Sequence, residues 1–283
     1  MQHLTLLENI DYLLIGHLTR DLTPDGPRIG GTAAYSALTA KAIGLRVGIV
    51  TSWAADLPLG PLSHIPIYNF HTDTSTTFEN IYTANGRVQY IHHIAPQLDY
   101  HHIPEPWRNA SIVHLGPVAQ EVEPGIARRI SSSLVCLTPQ GWLRSWDKEK
   151  RVHTTEWPES SYVLQQAGAA VLSVEDVEGN EERIEEMATN SRILAVTEAH
   201  QGSRVYWNGD VRRFRPPEVT EVDATGAGDI YAAAFFSRLF ITRDPWEAGR
   251  FATQLSAFSV TRTGLVDSIP TATEIEQCLV EVL

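Results

Sequence analysis

An α/β fold with a central, mostly parallel sheet is predicted by three features of the sequence. Short apolar runs end in Gly or in small polar residues, helical stretches fall between them, and an Asn-Gly hairpin signal interrupts the rhythm early. Buried parallel strands read as short apolar runs, and their alternation with helices argues for right-handed crossovers. The 283 residues suffice for one large α/β domain, 1–283, with a small appendage, and an apolar fraction of 43% supplies its core.

Tyr12 to Gly16 is an apolar run closed by Gly and reads as a buried strand. Gly30 and Gly31 open an Ala-rich helical stretch, Thr32 to Ile43, which Gly44 closes. Arg46 to Thr51 is the second strand of this unit. Thr76 to Thr83 and Arg87 to His93 then alternate around Asn85-Gly86, the strongest short-range hairpin signal. A two-residue loop there pairs Ala84 with Arg87, Tyr82 with Gln89 and Phe78 with His93. Phe78 and Tyr82 share one face and Ile81 lies on the other. An isolated hairpin is marginally stable, so this one belongs to a small sheet, with Asp21 to Pro27 nearby. The rhythm resumes with strands at 111–115, 134–137, 169–173 and 192–197, and an acidic helix at 177–190. A second hairpin joins 204–207 to 211–214 across Asn208-Gly209-Asp210. Helices over 229–240, 246–260 and 272–282 complete the chain.

A net charge of −12 argues against nucleic acid and anionic membrane as partners. Any phosphate must then be held by local backbone N–H groups or a few basic side chains. Cys136 and Cys278 cannot build a disulfide framework, and Met1 to Ile10 does not read as a signal peptide, so a cytoplasmic setting is expected. His92-His93 and His101-His102 lack the spacing of a zinc site and read as solvated or lid-packing side chains. No Gly-x4-Gly-Lys loop is present, which argues against a P-loop ATPase.

The densest chemical signal is Asp223-Ala-Thr-Gly-Ala-Gly-Asp229. Gly226 and Gly228 permit backbone that other residues cannot adopt, and Asp229 opens a helix. Exposed N–H groups at a helix N-terminus bind anions, so Gly226, Ala227 and Gly228 form a candidate anion hole for a transferring phosphate. A carboxylate beside that hole can take a proton from an attacking hydroxyl. The same nest of amides is expected to favour the ionised form of Asp229. Taken alone, the segment is equally compatible with a tight turn capped by Asp229.

This segment resembles the C-terminal signature of the ribokinase-like, or phosphofructokinase-B, carbohydrate kinases, and further motifs follow in the same order. Leu14 to Asp21 resembles the family's first strand, which ends in an Asp that grips substrate hydroxyls. Gly30-Gly31 resembles its N-terminal glycine pair, Val196-Thr197 through Gly202 its nucleotide-binding turn, and Ala257 to Pro270 the segment bordering adenine. The resemblance implies a three-layer sandwich with a small β lid formed from about 18–29 and 70–95. It implies an ATP-dependent phosphotransferase acting on a hydroxyl of a small sugar or polyol, with Asp229 as base. Asp21, Gly30 and Gly31 would hold the acceptor; Ser173, Thr197, Gly202, Thr225, Ala257 and Gly264 would hold the nucleotide. Mg2+ would sit near Glu175 and Asp176, and the family resemblance leaves room for a monovalent cation such as K+.

Three positions depart from the pattern. The usual Asn-x-x-Glu is replaced by Ser173-Val-Glu-Asp176, the turn after Thr197 has Ala199 in place of Gly, and a first-helix Asn is replaced by Tyr35. Arg144, in a loop after a strand, is a candidate substrate contact, as is Arg87 beside the lid turn. Two alternatives stay open: a nucleoside kinase, whose base would stack on Phe78 or Tyr82, and a non-catalytic sugar-sensing relative. The second face of the lid hairpin suggests a homodimer formed through the lid.

Overall fold

The computed structural model describes residues 8–83, 86–131 and 133–279. The strands are β1 (Tyr12–Ile15), β2 (Thr19–Leu22), β3 (Arg28–Gly30), β4 (Val47–Thr51), β5 (Ile67–Asn69), β6 (Thr76–Thr83), β7 (Gly86–His93), β8 (Ile112–Leu115), β9 (Leu134–Leu137), β10 (Arg144–Trp146), β11 (Val152–Thr154), β12 (Ala169–Ser173), β13 (Ile193–Thr197), β14 (Ser203–Trp207) and β15 (Asp210–Phe214). The helices are α1 (Thr32–Ala42), α2 (Ile126–Arg129), α3 (Ser160–Gln166), α4 (Glu181–Asn190), α5 (Ala227–Thr242), α6 (Pro245–Ser259) and α7 (Ala272–Leu279).

Nine strands form the main sheet in the order β15-β14-β13-β12-β9-β8-β1-β4-β5. It is parallel from β5 to β13 and antiparallel at β14 and β15. Successive side chains of a strand point to opposite faces. In β1, accordingly, Tyr12 and Leu14 join one core with α1, α5, α6 and α7, while Leu13 and Ile15 join a second core with α2, α3 and α4. The sheet is thus sandwiched between helices, the α/β arrangement expected from the alternation of runs. Among the described residues no helix is long and apolar enough to cross a membrane.

β1 lies between β4 and β8, so the chain winds outward in both directions from it. In an open sheet the crevice at such a reversal, beyond the carboxyl ends of the strands, is where ligands bind. The residues that follow those ends are Gly16, Gly116, Thr138 and, at the last position of their strands, Ser173 and Thr197.

A second sheet, β3-β2-β6-β7, stands over this crevice. Its hairpin corrects the expected register. Tyr82 pairs with Arg87, Asn80 with Gln89 and Phe78 with Ile91, and an irregularity between Thr77 and Phe78 brings Thr77 opposite His93. The hydrophobic pattern decided this: the observed register places Phe78 and Ile91, both buried, opposite each other, whereas the expected one placed Phe78 against His93. Ala84 and Asn85 lie outside the described residues, as do the side chains of Tyr82 and Arg87. Asp21 lies apart from β1, within the 18–29 stretch. β1 ends at Ile15, and Asp21 belongs to β2 of the small sheet, because the polar Thr19-Arg20-Asp21 stretch pairs with β3 and β6.

Candidate active site

A cleft of about 1840 Å³ runs between the small sheet and the carboxyl ends of the main sheet. Its central feature is the start of α5, which begins at Ala227, two residues before the expected start at Asp229. The N-cap is Gly226 at φ +80°, where a Cβ would also lie 2.3 Å from the Tyr35 ring. Only Gly satisfies both conditions. A Cβ on Gly228 would meet nothing within 4 Å, and Gly226, Ala227 and Gly228 all border the cleft, with the Ala227 N–H donating to the Ala224 carbonyl at 3.1 Å. Asp229 is the third residue of the helix.

Burial is the dominant influence on Asp229 and raises its pKa from 3.8 to about 6; the Thr32 hydroxyl bond and Arg144 pull it down, and Asp176 and Asp21 push it up. The expected effect of the amide nest is therefore outweighed by desolvation. The carboxylate is still mostly ionised at neutral pH, with a modestly raised pKa. Its position is set by contacts between α1 and α5: Thr32 holds the carboxyl, and the Ser36 hydroxyl donates to the Asp229 carbonyl at 3.0 Å.

One end of the cleft is bounded by β2, the start of α1 and Arg144. The Thr19 hydroxyl donates to Asp21 Oδ1 at 2.8 Å, which orients the carboxylate. Asp21 and Gly31 border the cleft; Gly30 lies behind Asp21, where a Cβ would collide with its Oδ2. Arg144 follows a short helical turn over 139–143, whose Trp142 stacks on Trp157 at 4.9 Å. Arg144 Nη1 donates to the Val118 carbonyl at 3.2 Å, and its guanidinium carbon lies 5.7 Å from the Phe78 ring centroid. It thus stands between the small sheet and Asp229.

The other end of the cleft gathers Ser173, Thr197, Gly202, Thr225, Ala257 and Gly264. Apolar side chains of Val219, Val222, Val260 and Leu265 wall this end, a slot suited to a flat base. The expected acidic helix at 177–190 is split. Residues 174–177 form a short turn capped by Ser173, and α4 begins only at Glu181 because Glu178 and Gly179 adopt left-handed backbone.

Asp176 Oδ2 accepts from the Ser173 N–H at 2.8 Å and Oδ1 from Gln140 Nε2 at 3.0 Å. Each oxygen keeps a lone pair, and Asp176 and Glu175 both border the cleft. Among the described residues no group of three or more His, Cys, Asp or Glu gathers as a cation cage. This donor set fits a Mg2+ ion that arrives on phosphates and keeps most of its waters.

Sequence reasoning missed Thr32 and Gln140, which hold Asp229 and Asp176, and Glu121. Buried Glu121 accepts from the N–H groups of His17, Val118 and Ala119 and fixes the loops after β1 and β8. The histidine pairs lie at the surface: His92 reaches Glu79 at 2.8 Å, and His102 lies 4.2 Å from Phe70, ring to ring.

Residues 160–272 match the family described as pfkB family carbohydrate kinase. The cytidine kinase of Thermococcus kodakarensis is 24% identical over 251 residues, covering 81% of this chain and 88% of that protein. The inositol 3-kinase of Oryza sativa is 24% identical over 92% of this chain and 70% of its own length. A pyrophosphate-dependent kinase in the ribokinase family, complexed with a pyrophosphate analog and myo-inositol, superposes with a TM-score of 0.78 at 18% identity, over 94% of this chain and 99% of that one. Ribokinase of Arabidopsis thaliana, complexed with ribose and ATP, gives 0.73 at 16% identity, over 96% and 99%. At these identities the superpositions establish the fold.

Proposed function

Since this chain is a carbohydrate kinase of the pfkB, ribokinase-like family, we propose that it transfers the terminal phosphoryl group of ATP to a hydroxyl of a small sugar or polyol, with Asp229 as general base. The observation that carries this reading is the pairing of a half-buried carboxylate with the first turn of α5 at the centre of the cleft. Asp229 accepts the proton of the attacking hydroxyl as the bond to phosphorus forms. The amides of Gly226 and Gly228 receive the charge on the phosphoryl oxygens, joined by that of Ala227 once it leaves the Ala224 carbonyl, and Arg144 adds a positive charge on the acceptor side. Asp21 and the Gly30-Gly31 backbone hold the acceptor hydroxyls. Mg2+ bound near Asp176 and Glu175 would neutralise phosphate charge.

The apolar slot around Val222, Val260 and Leu265 supports a nucleotide as donor; pyrophosphate alone would leave it unfilled. The cytidine kinase relative and the face of Phe78 toward the cleft keep a nucleoside as the second reading of the acceptor. The small sheet is read as a lid over the acceptor, its exposed Ile81 as a contact for a second copy, and the buried free thiols of Cys136 and Cys278 as those of a cytoplasmic protein.

The test is an ADP-release screen of sugars, polyols and nucleosides with ATP or pyrophosphate as donor, on the wild type and on Asp229→Asn. The variant keeps the size of the side chain, so ligand binding survives while turnover falls roughly 10²–10⁴-fold. A wild type that binds ATP and an acceptor without releasing ADP would establish the sensor reading instead. Equal turnover by both proteins would remove Asp229 as the base.

A further inference from the structure

We propose that a buried hydrogen-bond relay, Tyr12 to His114 to Thr138, fixes the Thr138 hydroxyl as a donor aimed into the cleft beside Asp229, where it takes an oxygen lone pair of the reactants. The inference rests on the kinase reading of the cleft.

Tyr12 lies in β1 and His114 in the adjoining β8, and neither is exposed at all. Tyr12 Oη is 2.9 Å from His114 Nδ1, and His114 Nε2 is 2.9 Å from Thr138 Oγ1. Thr138 follows β9 at the cleft wall. The imidazole is clamped edge-on to the rings of Tyr12 and Phe236, with centroids 6.0 and 5.0 Å away.

Burial lowers the pKa of His114 to about 3, so the ring carries one proton throughout the neutral range. Two arrangements are then possible. If Nδ1 holds the proton, it donates to Tyr12 Oη, and the phenol proton is left in the core with no acceptor among the described residues. If Nε2 holds it, the phenol donates to Nδ1 and Nε2–H donates to Thr138 Oγ1, so every core donor is satisfied. A buried unsatisfied donor is costly, which selects the second arrangement. Thr138 then accepts from below, and its own proton is left for the cleft.

The hydroxyl lies close to the reaction centre. A Cβ built on Gly116 would be 2.7 Å from Thr32 Cγ2 and 3.4 Å from Thr138 Oγ1. One missing side chain therefore separates Thr138 from the residue that holds Asp229. The recognised lone pair belongs either to the acceptor molecule or to the phosphoryl group in transfer. Tyr12 and His114 act through Thr138 as positioning residues and never meet the ligand.

The test uses the full chain with ATP and myo-inositol, D-fructose or cytidine. Thr138→Val should lower kcat/KM by about 10–100-fold, the scale of one hydrogen bond to a charged or developing group, and Thr138→Ser should restore most of it. A loss in KM for the acceptor assigns the lone pair to that molecule; a loss in kcat assigns it to the phosphoryl group. Tyr12→Phe removes the donor that selects the tautomer and should lower kcat/KM by several-fold from a position without solvent exposure. Independently, 15N-histidine NMR of the wild type should show His114 as the Nε2–H tautomer from pH 6 to 8. An Nδ1–H tautomer, or wild-type kinetics in Thr138→Val, overturns the proposal. A wild type inactive on every acceptor counts against the kinase reading alone, and the tautomer then decides the relay.

Discussion

At Asp229 burial and chemistry pull in opposite directions. Its folded pKa, about 6, exceeds the unfolded value of 3.8, so between those values the folded state holds more protons than the unfolded state. Stability from this group is therefore fully present below pH 3.8 and is lost as pH rises to about 6. The span corresponds to on the order of 3 kcal/mol at most. Asp229→Asn should melt higher than the wild type at pH 8, and the difference should vanish at pH 4, a comparison that calorimetry at the two pH values can make. The same titration should appear in catalysis, with kcat/KM of the wild type climbing as pH passes through about 6. Asp229 was legible in the sequence because two glycines and a following helix advertise an anion site. Thr32 and Thr138 were not, because a Thr near the end of an element looks the same whether it caps, packs or binds. Ala199 shows a further local cost: it sits at φ +49° in the turn where the resemblance calls for Gly.

The turn over 139–143 is the element that carries Arg144 to the site, and its seat is tight. A Cβ on Gly141 would lie 2.3 Å from the Pro117 carbonyl carbon and 2.4 Å from the Val118 nitrogen, both backbone atoms that Glu121 helps to hold in place. Gly141→Ala should force the turn away from that loop, costing about 1–3 kcal/mol as overpacking does. Because the turn leads into Arg144, KM for the acceptor should rise while KM for ATP stays close to wild type. A variant with a lowered melting temperature and both constants unchanged would show that the turn and Arg144 are uncoupled. Elements of this size are also where sequence reading ends. The strands β1, β4, β8, β9, β12 and β13 were legible because each buries a run of apolar residues. β10 and β11 have three residues each, and α3 buries only Val163 and Leu164, so no period could establish itself. The small-sheet register failed for a related reason: the Asn85-Gly86 signal is local, while the pairing of Phe78 with Ile91 is a tertiary preference.

For the whole molecule, the proposed dimer gives a direct expectation. The small sheet buries Phe78 and leaves Ile81 42% exposed at the rim of the cleft. Sedimentation equilibrium at micromolar concentration should give twice the 31.4 kDa chain mass, and Ile81→Glu should return it to the single-chain value. A wild type that sediments as one chain removes the lid dimer. The position of the cleft was legible on this scale too, since strand alternation implies a parallel sheet and a parallel sheet places ligands beyond its carboxyl ends.

The small sheet is fastened at both ends. On one side β3 runs directly into Gly31 and α1; on the other, β7 joins the β10–β11 hairpin through the Tyr90–Arg151 bridge, and the Ile91 N–H donates to the Lys150 carbonyl at 2.9 Å. Both fastenings lead to groups that border the same end of the cleft, Thr32 at one and Arg144 at the other. The frame around the proposed acceptor site is therefore assembled when the chain folds, and a molecule arriving there has little left to order. Such a frame works as a rigid gauge: a fitting acceptor loses little entropy on the protein's account.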